Sequence, residues 1–255
     1  MGLSALPAPV SEDPSDWMES TQLVDLHDTK LRLKAQSLTH LCRTDREKVL
    51  AIYSNVKRIT FAKPVKLRLH TAHEALRLKH ADAEDKATLF IALLRAAGFP
   101  ARIRYIELHG DVLRGLTTAI ASAGRPVVQV WLAEKWCSTD TYIFDAHYVA
   151  AARSRLRALK WEWGYGLHRR GHTLWDGLED AYLTGDAQVA REISMGVLGW
   201  FHDPHDFLVS AVCRERFPRV ARAVRWNVLA PGMNRAVTNL RQTQPGGRSP
   251  SLGTA

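Results

Sequence analysis

The chain has 255 residues, of which 46% are hydrophobic and 24% charged. That is enough for one large domain or two small ones around a real core. No apolar run approaches the ~20 residues a membrane span needs, and Met1 to Val10 lacks the basic and apolar regions of a secretory signal. The cysteines Cys42, Cys137 and Cys213 stand far apart, so neither a disulfide framework nor a zinc motif is expected, and a reducing cytoplasm suits them.

Lysine and arginine number 35 against 26 acidic residues, a formal charge of +9. The basic residues do not form a block. Arg153, Arg155, Arg157 and Lys160, and then Arg214, Arg216, Arg219, Arg222 and Arg225, alternate with Leu156, Leu159, Val220 and Val224 as solvated helix faces do. No zinc finger, RNP-like strand or helix-turn-helix pattern accompanies them. Neither nucleic acid nor a membrane is an expected partner.

In chain order, residues 1–17 carry Pro7, Pro9 and Pro14 and read as a flexible leader. A helix is expected from Asp45 to Ile59: Thr44 and Glu47 make a capping box, and Val49, Ile52, Tyr53, Val56 and Ile59 recur at helical spacing. A second helix runs from Asp82 to Ala97 on the stripe Ala87, Phe90, Ile91 and Leu94, stopped by Gly98 and Pro100. The period then changes to two. Ile103 and Tyr105 alternate with Arg102 and Arg104; Val127, Gln129 and Trp131 alternate with Val128, Val130 and Leu132; Tyr142-Ile143-Phe144 suggests a third short strand. From about Ala146 the pattern is helical again, and Asp203-Pro204 predicts a helix start running through Phe207, Leu208 and Val212. The tail from Gln242 is rich in Pro, Gly and Ser and reads as disordered. The expected class is α+β: helices, a small antiparallel sheet, then a helical C-terminal extension over 151–241 packed on a core of 18–150.

One stretch is more specific. Asp82-Ala83-Glu84-Asp85-Lys86-Ala87, continuing through Ala92-Leu93-Leu94-Arg95-Ala96-Ala97-Gly98-Phe99-Pro100-Ala101-Arg102, resembles the core of the transglutaminase-like superfamily. There a G-x-C-x-D-x-A helix start leads into an ALLRAAGIPAR passage. Gln129-Val130-Trp131 stands where the family has H-A-W, and Trp136 to Asp140 where it has W-x-x-x-D. Asp45 to Tyr53 matches the preceding helix, so the resemblance covers about residues 20–145. It implies a papain-like fold and a thiol, imidazole and carboxylate for acyl transfer. It also places Ala83 at the cysteine position, Gln129 at the histidine position and Asp140 at the aspartate position. Alanine cannot attack a carbonyl, and an amide does not transfer protons near pH 7.

The residues left for chemistry in such a cleft are His80, Asp82, Glu84, Asp85, Gln129, Asp140, Asp145 and His147. As catalytic candidates the reading selects Asp140, Glu84, Asp85 and His147; as substrate-binding candidates, Ala83, Gln129, Trp131, Asp82, Trp161 and Trp163. Asp82, Glu84 and Asp85 would also serve as first-turn carboxylates that favour the helix. His202-Asp203-Pro204-His205-Asp206 has ligand-type residues, but its aspartate already suits a cap, so no metal or cofactor is expected. His168-Arg169-Arg170-Gly171-His172 reads as a polar loop. Three functions fit: an enzyme doing acid/base chemistry on a small organic substrate (cyclisation, elimination or isomerisation), a non-catalytic module binding a peptide, acyl chain or protein partner, and an acyl transferase using another cysteine such as Cys137.

Overall fold

A computed structural model describes residues 11–217 and 219–242. The order is α1 (Thr29–Thr39), α2 (Asp45–Arg58), β1 (Thr60–Phe61), α3 (Ala72–Ala75), β2 (His80–Ala81), α4 (Ala83–Ala96), β3 (Ala101–His109), β4 (Ser122–Leu132), β5 (Lys135–Thr139), α5 (Ala146–Ala158), β6 (Trp163–Gly164), β7 (Leu167–His168), α6 (Ala187–Ile193), β8 (Ser194–Phe201), α7 (Pro204–Val209), α8 (Ala211–Arg216) and α9 (Arg219–Gln242). The fold is α+β, with an antiparallel sheet in the order β5-β4-β3-β8.

The helix starts follow their capping chemistry. Thr44 and Glu47 cap α2 reciprocally, and Asp82 caps α4 by accepting from the Asp85 N–H. From Asp85 to Arg95 every residue of α4 is buried, because α1, α2 and α3 surround it on one side and the sheet lies on the other. In the sheet, directly opposed residues share a face and successive residues alternate. Ile103, Val128 and Thr139 are register partners and face the helices: Thr139 bonds Thr141, which bonds Tyr53 of α2. Arg102, Gln129 and Ser138 are the partners on the opposite face.

Several expectations change. Residues 14–18 are a turn of 3-10 helix, and Trp17 is buried, with its indole donating to the Ser11 carbonyl and its ring stacked on His202. The part of the expected leader from residue 11 on is therefore packed structure; residues 1–10 and the tail beyond Gln242 lie outside the described residues. The C-terminal region is not helical throughout, since β8 completes the sheet beside β3. Its pattern hides from a period-two reading because Gly196 and Gly199 both adopt positive φ and the β3 pairing shifts register twice. Residues 142–144 are a turn, not a strand, and the third strand is β5. The buried ammonium of Lys57 takes the carbonyls of Thr141 and Phe144, and Lys86 takes that of Tyr142, which overrides the β-propensity of the aromatics. The helix expected from 204 to 212 breaks at Ser210, which ends α7 and caps α8 through the Cys213 N–H. Among the described residues, no helix is long and apolar enough to cross a membrane.

Candidate active site

The N-terminus of α4 opens onto a cavity of about 220 Å³. Most of its wall is apolar, including Tyr105 of β3, Leu113 and Leu116, Phe144, Phe207 of α7 and Met233 of α9. Its polar lining is Ser122 and Arg125 of β4, together with Lys63, Asp82 and Glu84 at the start of α4. Lys63 and Lys66 reach this point from the segment after β1, which is tied to α9: the Lys63 N–H donates to Asn234, the Asn234 amide donates to the Lys63 carbonyl, and the Lys66 N–H donates to Asn227. The C-terminal helix thus covers the cavity and fixes the two lysines at once.

The three carboxylates in the first turn of α4 differ sharply. Asp82 is fully buried. Burial alone would raise its pKa, but Lys63 at 3.1 Å and Lys66 at 3.0 Å outweigh it and hold Asp82 down at about 2. Asp85 receives Lys66 at 2.7 Å and lies 3.1 Å from His70 Nδ1, yet burial and the charge of Asp82 raise its pKa. Glu84 keeps 15% of its side-chain surface, the nearest ammonium is Lys63 at 3.7 Å, and burial followed by opposition from Asp82 raises its pKa. Apart from Lys63, the charge of Lys66 and its own backbone N–H, the Glu84 carboxyl has no favourable partner among the described residues.

Gln129 and Asp140 are elsewhere. The Gln129 carbonyl accepts from Arg102 Nε at 2.9 Å and from the Trp200 indole at 2.8 Å, and its amide donates to Ser138 at 3.0 Å. Arg102 in turn lies 4.0 Å from the centre of the Trp136 ring, near Trp17 and Trp200, and donates to the Ser11 carbonyl. Asp140 is completely buried and outside the cavity wall. Its carboxylate accepts from Arg125 at 3.1 Å and from the Leu183 N–H at 2.6 Å, while burial, only partly offset by Arg125, raises its pKa. The expected convergence of Ala83, Gln129 and Asp140 on one cleft is therefore not found: Gln129 lies on the sheet face away from α4, and of the three only Ala83 lines the cavity.

The remaining candidates also separate. His147 is exposed on α5 and His80 is exposed on β2, so neither belongs to the cavity wall. Asp145 caps α5 and binds the Phe61 N–H and Arg241. Trp131 packs edge-on against Trp136 on the Gln129 side of the sheet. Trp161 lies under Arg114, with the guanidinium 3.6 Å from the ring centre, and Trp163 packs on His168 and lines a separate polar cleft with His109, Asp111 and Glu162. The aromatics of the C-terminal region that line the cavity are Phe207 and Phe217, not Trp161 and Trp163. Cys137 bonds the Leu178 carbonyl, and burial raises its thiol pKa; Cys42 is half-buried; Cys213 is buried in the cavity wall. Asp203 caps α7 as expected, and among the described residues no three His, Cys, Asp or Glu side chains group as metal ligands.

Residues 32–141 match the family model of the transglutaminase-like superfamily. The chain carries a transglutaminase-like core. Among curated proteins, none matches the chain. A solved structure from Cytophaga hutchinsonii, named as a candidate cysteine protease, is similar at 18% identity and a TM-score of 0.42. The likeness covers 54% of this chain and 43% of that one, less than half the length of that protein. In the transglutaminase-like core described here, the helix start that the family resemblance singled out is also where the cavity lies. Lys63, Lys66 and Arg125, and the place of Tyr105 in the cavity wall, are not marked by the sequence periodicity. A signal for the lysines exists in the run Lys63-Pro64-Val65-Lys66, a basic complement to Asp82-Ala83-Glu84-Asp85.

Proposed function

We propose that this transglutaminase-like protein has given up thiol acyl transfer, with Ala83, Gln129 and Asp140 standing at the positions of the family's cysteine, histidine and aspartate. In its place, the cavity at the start of α4 carries out acid/base chemistry on a small organic substrate. Cyclisation, elimination and isomerisation are the reaction classes that need no covalent nucleophile. Glu84 is the general acid or base. The observation that carries this reading is the pair of carboxylates two residues apart with opposite environments. Asp82 is held ionised by two lysines, while Glu84 faces an apolar cavity with its pKa raised. A pair driven apart in this way is how sites assign acid and base roles. Asp82 fixes the helix start, and Asp85 with His70 and Lys66 backs the cluster. Three free cysteines suit a cytoplasmic setting.

The test is metabolite profiling. The purified chain and its Glu84→Gln variant are each incubated with an extract of small metabolites. The reading expects compounds consumed by the native chain and left intact by a folded Glu84→Gln variant that still binds them. Identical profiles for the two proteins would overturn it. A second reading, non-catalytic binding of an acyl chain, draws on the predominantly apolar wall; it expects a retained molecule and no turnover from either protein.

A further inference from the structure

Every cation lining the cavity or bonded to its carboxylates already stands against a carboxylate. Lys63 lies 3.1 Å from Asp82, Lys66 lies 3.0 Å from Asp82 and 2.7 Å from Asp85, and Arg125 lies 3.1 Å from Asp140. A ligand with an anionic head would enter beside Asp82 and Glu84, and one with a cationic head would enter beside Lys63. Each would leave a charge poorly compensated in a site shielded from bulk water. Of the groups lining the cavity, two have bonding capacity left: the Glu84 carboxyl, which has 15% of its side-chain surface open and Lys63 no nearer than 3.7 Å, and the Tyr105 hydroxyl, which is buried without a hydrogen-bond partner among the described residues. Most of the remaining wall is hydrocarbon and aromatic, including Leu113, Leu116, Phe207, Phe217, Leu229 and Met233, with Ser122 and Arg125 as its polar exceptions.

We propose that the cavity takes an apolar chain or ring system ending in a neutral carbonyl group, with the carbonyl oxygen at Glu84 and the hydrocarbon along the wall toward α9. This rests on the reading of the cavity as the working site and names its substrate class. In its protonated form the Glu84 carboxyl offers one O–H donor, which a carbonyl oxygen accepts, and burial moves its pKa upward, toward that form. The volume of about 220 Å³ exceeds the ~150 Å³ of an apolar cavity known to accept benzene. It therefore suits a body of roughly ten non-hydrogen atoms. The hydrocarbon supplies affinity, about fourfold for each methylene buried, and Glu84 supplies orientation.

The experiment titrates the full chain at pH 7 with 2-heptanone, 2-nonanone, nonanoate and nonylammonium, following the carbonyl carbon of labelled 2-nonanone by NMR and all four by calorimetry. The expected result is saturable binding of 2-nonanone, roughly tenfold tighter than 2-heptanone and at least tenfold tighter than either charged probe. Glu84→Gln, which keeps a donor, retains the preference for 2-nonanone. Glu84→Leu, of similar size and without a donor, loses most of it. Leu116→Trp, which fills the wall, weakens all binding. If nonanoate or nonylammonium binds as tightly as 2-nonanone, or Glu84→Leu leaves the preference intact, the neutral-carbonyl assignment is overturned while the cavity remains a site. If no probe binds and Leu116→Trp changes nothing, the reading of the cavity as a ligand site falls with it.

Discussion

Two buried polar regions flank the central sheet, and they are built to opposite ends. On the face away from α4, Arg102 and Gln129 spend their polar atoms on Ser11, Ser138 and Trp200, with the guanidinium packed on Trp136. On the helix side, the Glu84 side chain is largely buried, feels Lys63 no nearer than 3.7 Å and the charge of Lys66, and lines a mostly apolar cavity. Groups that satisfy one another specify structure, and Arg102 and Gln129 are committed in this way, although the Trp136 indole N–H beside them is buried without a partner among the described residues. A buried carboxyl with unused capacity stores an interaction that a ligand can complete. The contrast supports the proposed role of Glu84 and leaves Gln129, despite its place in the family resemblance, bonded to the Arg102 that reaches the N-terminal segment.

The largest effect should come from a second saturated set, the core lysines. Burial pushes Lys86 down to about 7 and Lys57 down to about 8, and both ammonium groups are satisfied by backbone carbonyls of the 141–144 turn and its surroundings. Between pH ~7 and the unfolded value near 10.4, the unfolded chain holds a proton on Lys86 that the folded chain lacks. Stability should therefore rise with pH across that window, by on the order of a few kcal/mol, with Lys57 adding to the rise from about pH 8. Urea unfolding at pH 6.5, 8 and 9.5 reads this directly, and Lys86→Met should flatten most of the slope. An unchanged slope in that variant would mean the lysine is not carrying it.

Arg102→Met should cost roughly 2–3 kcal/mol, the scale of a buried charge-assisted hydrogen bond lost together with its stacking. It should also free the Ser11–Met18 segment to proteolysis while leaving 2-nonanone affinity within twofold. Loss of that affinity would join the two regions that the comparison separates. Glu84→Gln should change stability by less than about 1 kcal/mol, since it breaks no short hydrogen bond; a large loss would recast Glu84 as structural. The smallest effect is expected from rebuilding the resemblance. Adding Gln129→His to Ala83→Cys should alter the acyl-enzyme burst with p-nitrophenyl acetate by less than twofold, because position 129 lies on the wrong face of the sheet.

Much of the frame was readable before the structure. The capping boxes, the apolar stripe of α4 and the alternation in β3 and β4 are local signals, and the α4 helix start drew attention to the segment that lines the cavity. What escaped depends on long-range pairing. Strand β8 is interrupted by glycines at bulges, and the lysines that split Asp82 from Glu84 arrive from a segment held by α9, 171 residues away at the Lys63–Asn234 contact. Motif order places Gln129 beside Ala83, whereas the register with Arg102 and Ser138 turns Gln129 to the other face of the sheet. A motif fixes sequence spacing but not which side of a twisted sheet a side chain takes.

The most direct test is a carbon-13 NMR titration of the Glu84 side-chain carboxyl in the full chain, assigned by comparison with Glu84→Gln. The account predicts a midpoint clearly above the ordinary glutamate range of ~4.3, and a further change in that resonance when 2-nonanone saturates the cavity. A midpoint at the ordinary value, with no response to the ketone, would contradict it and leave the start of α4 as structure alone.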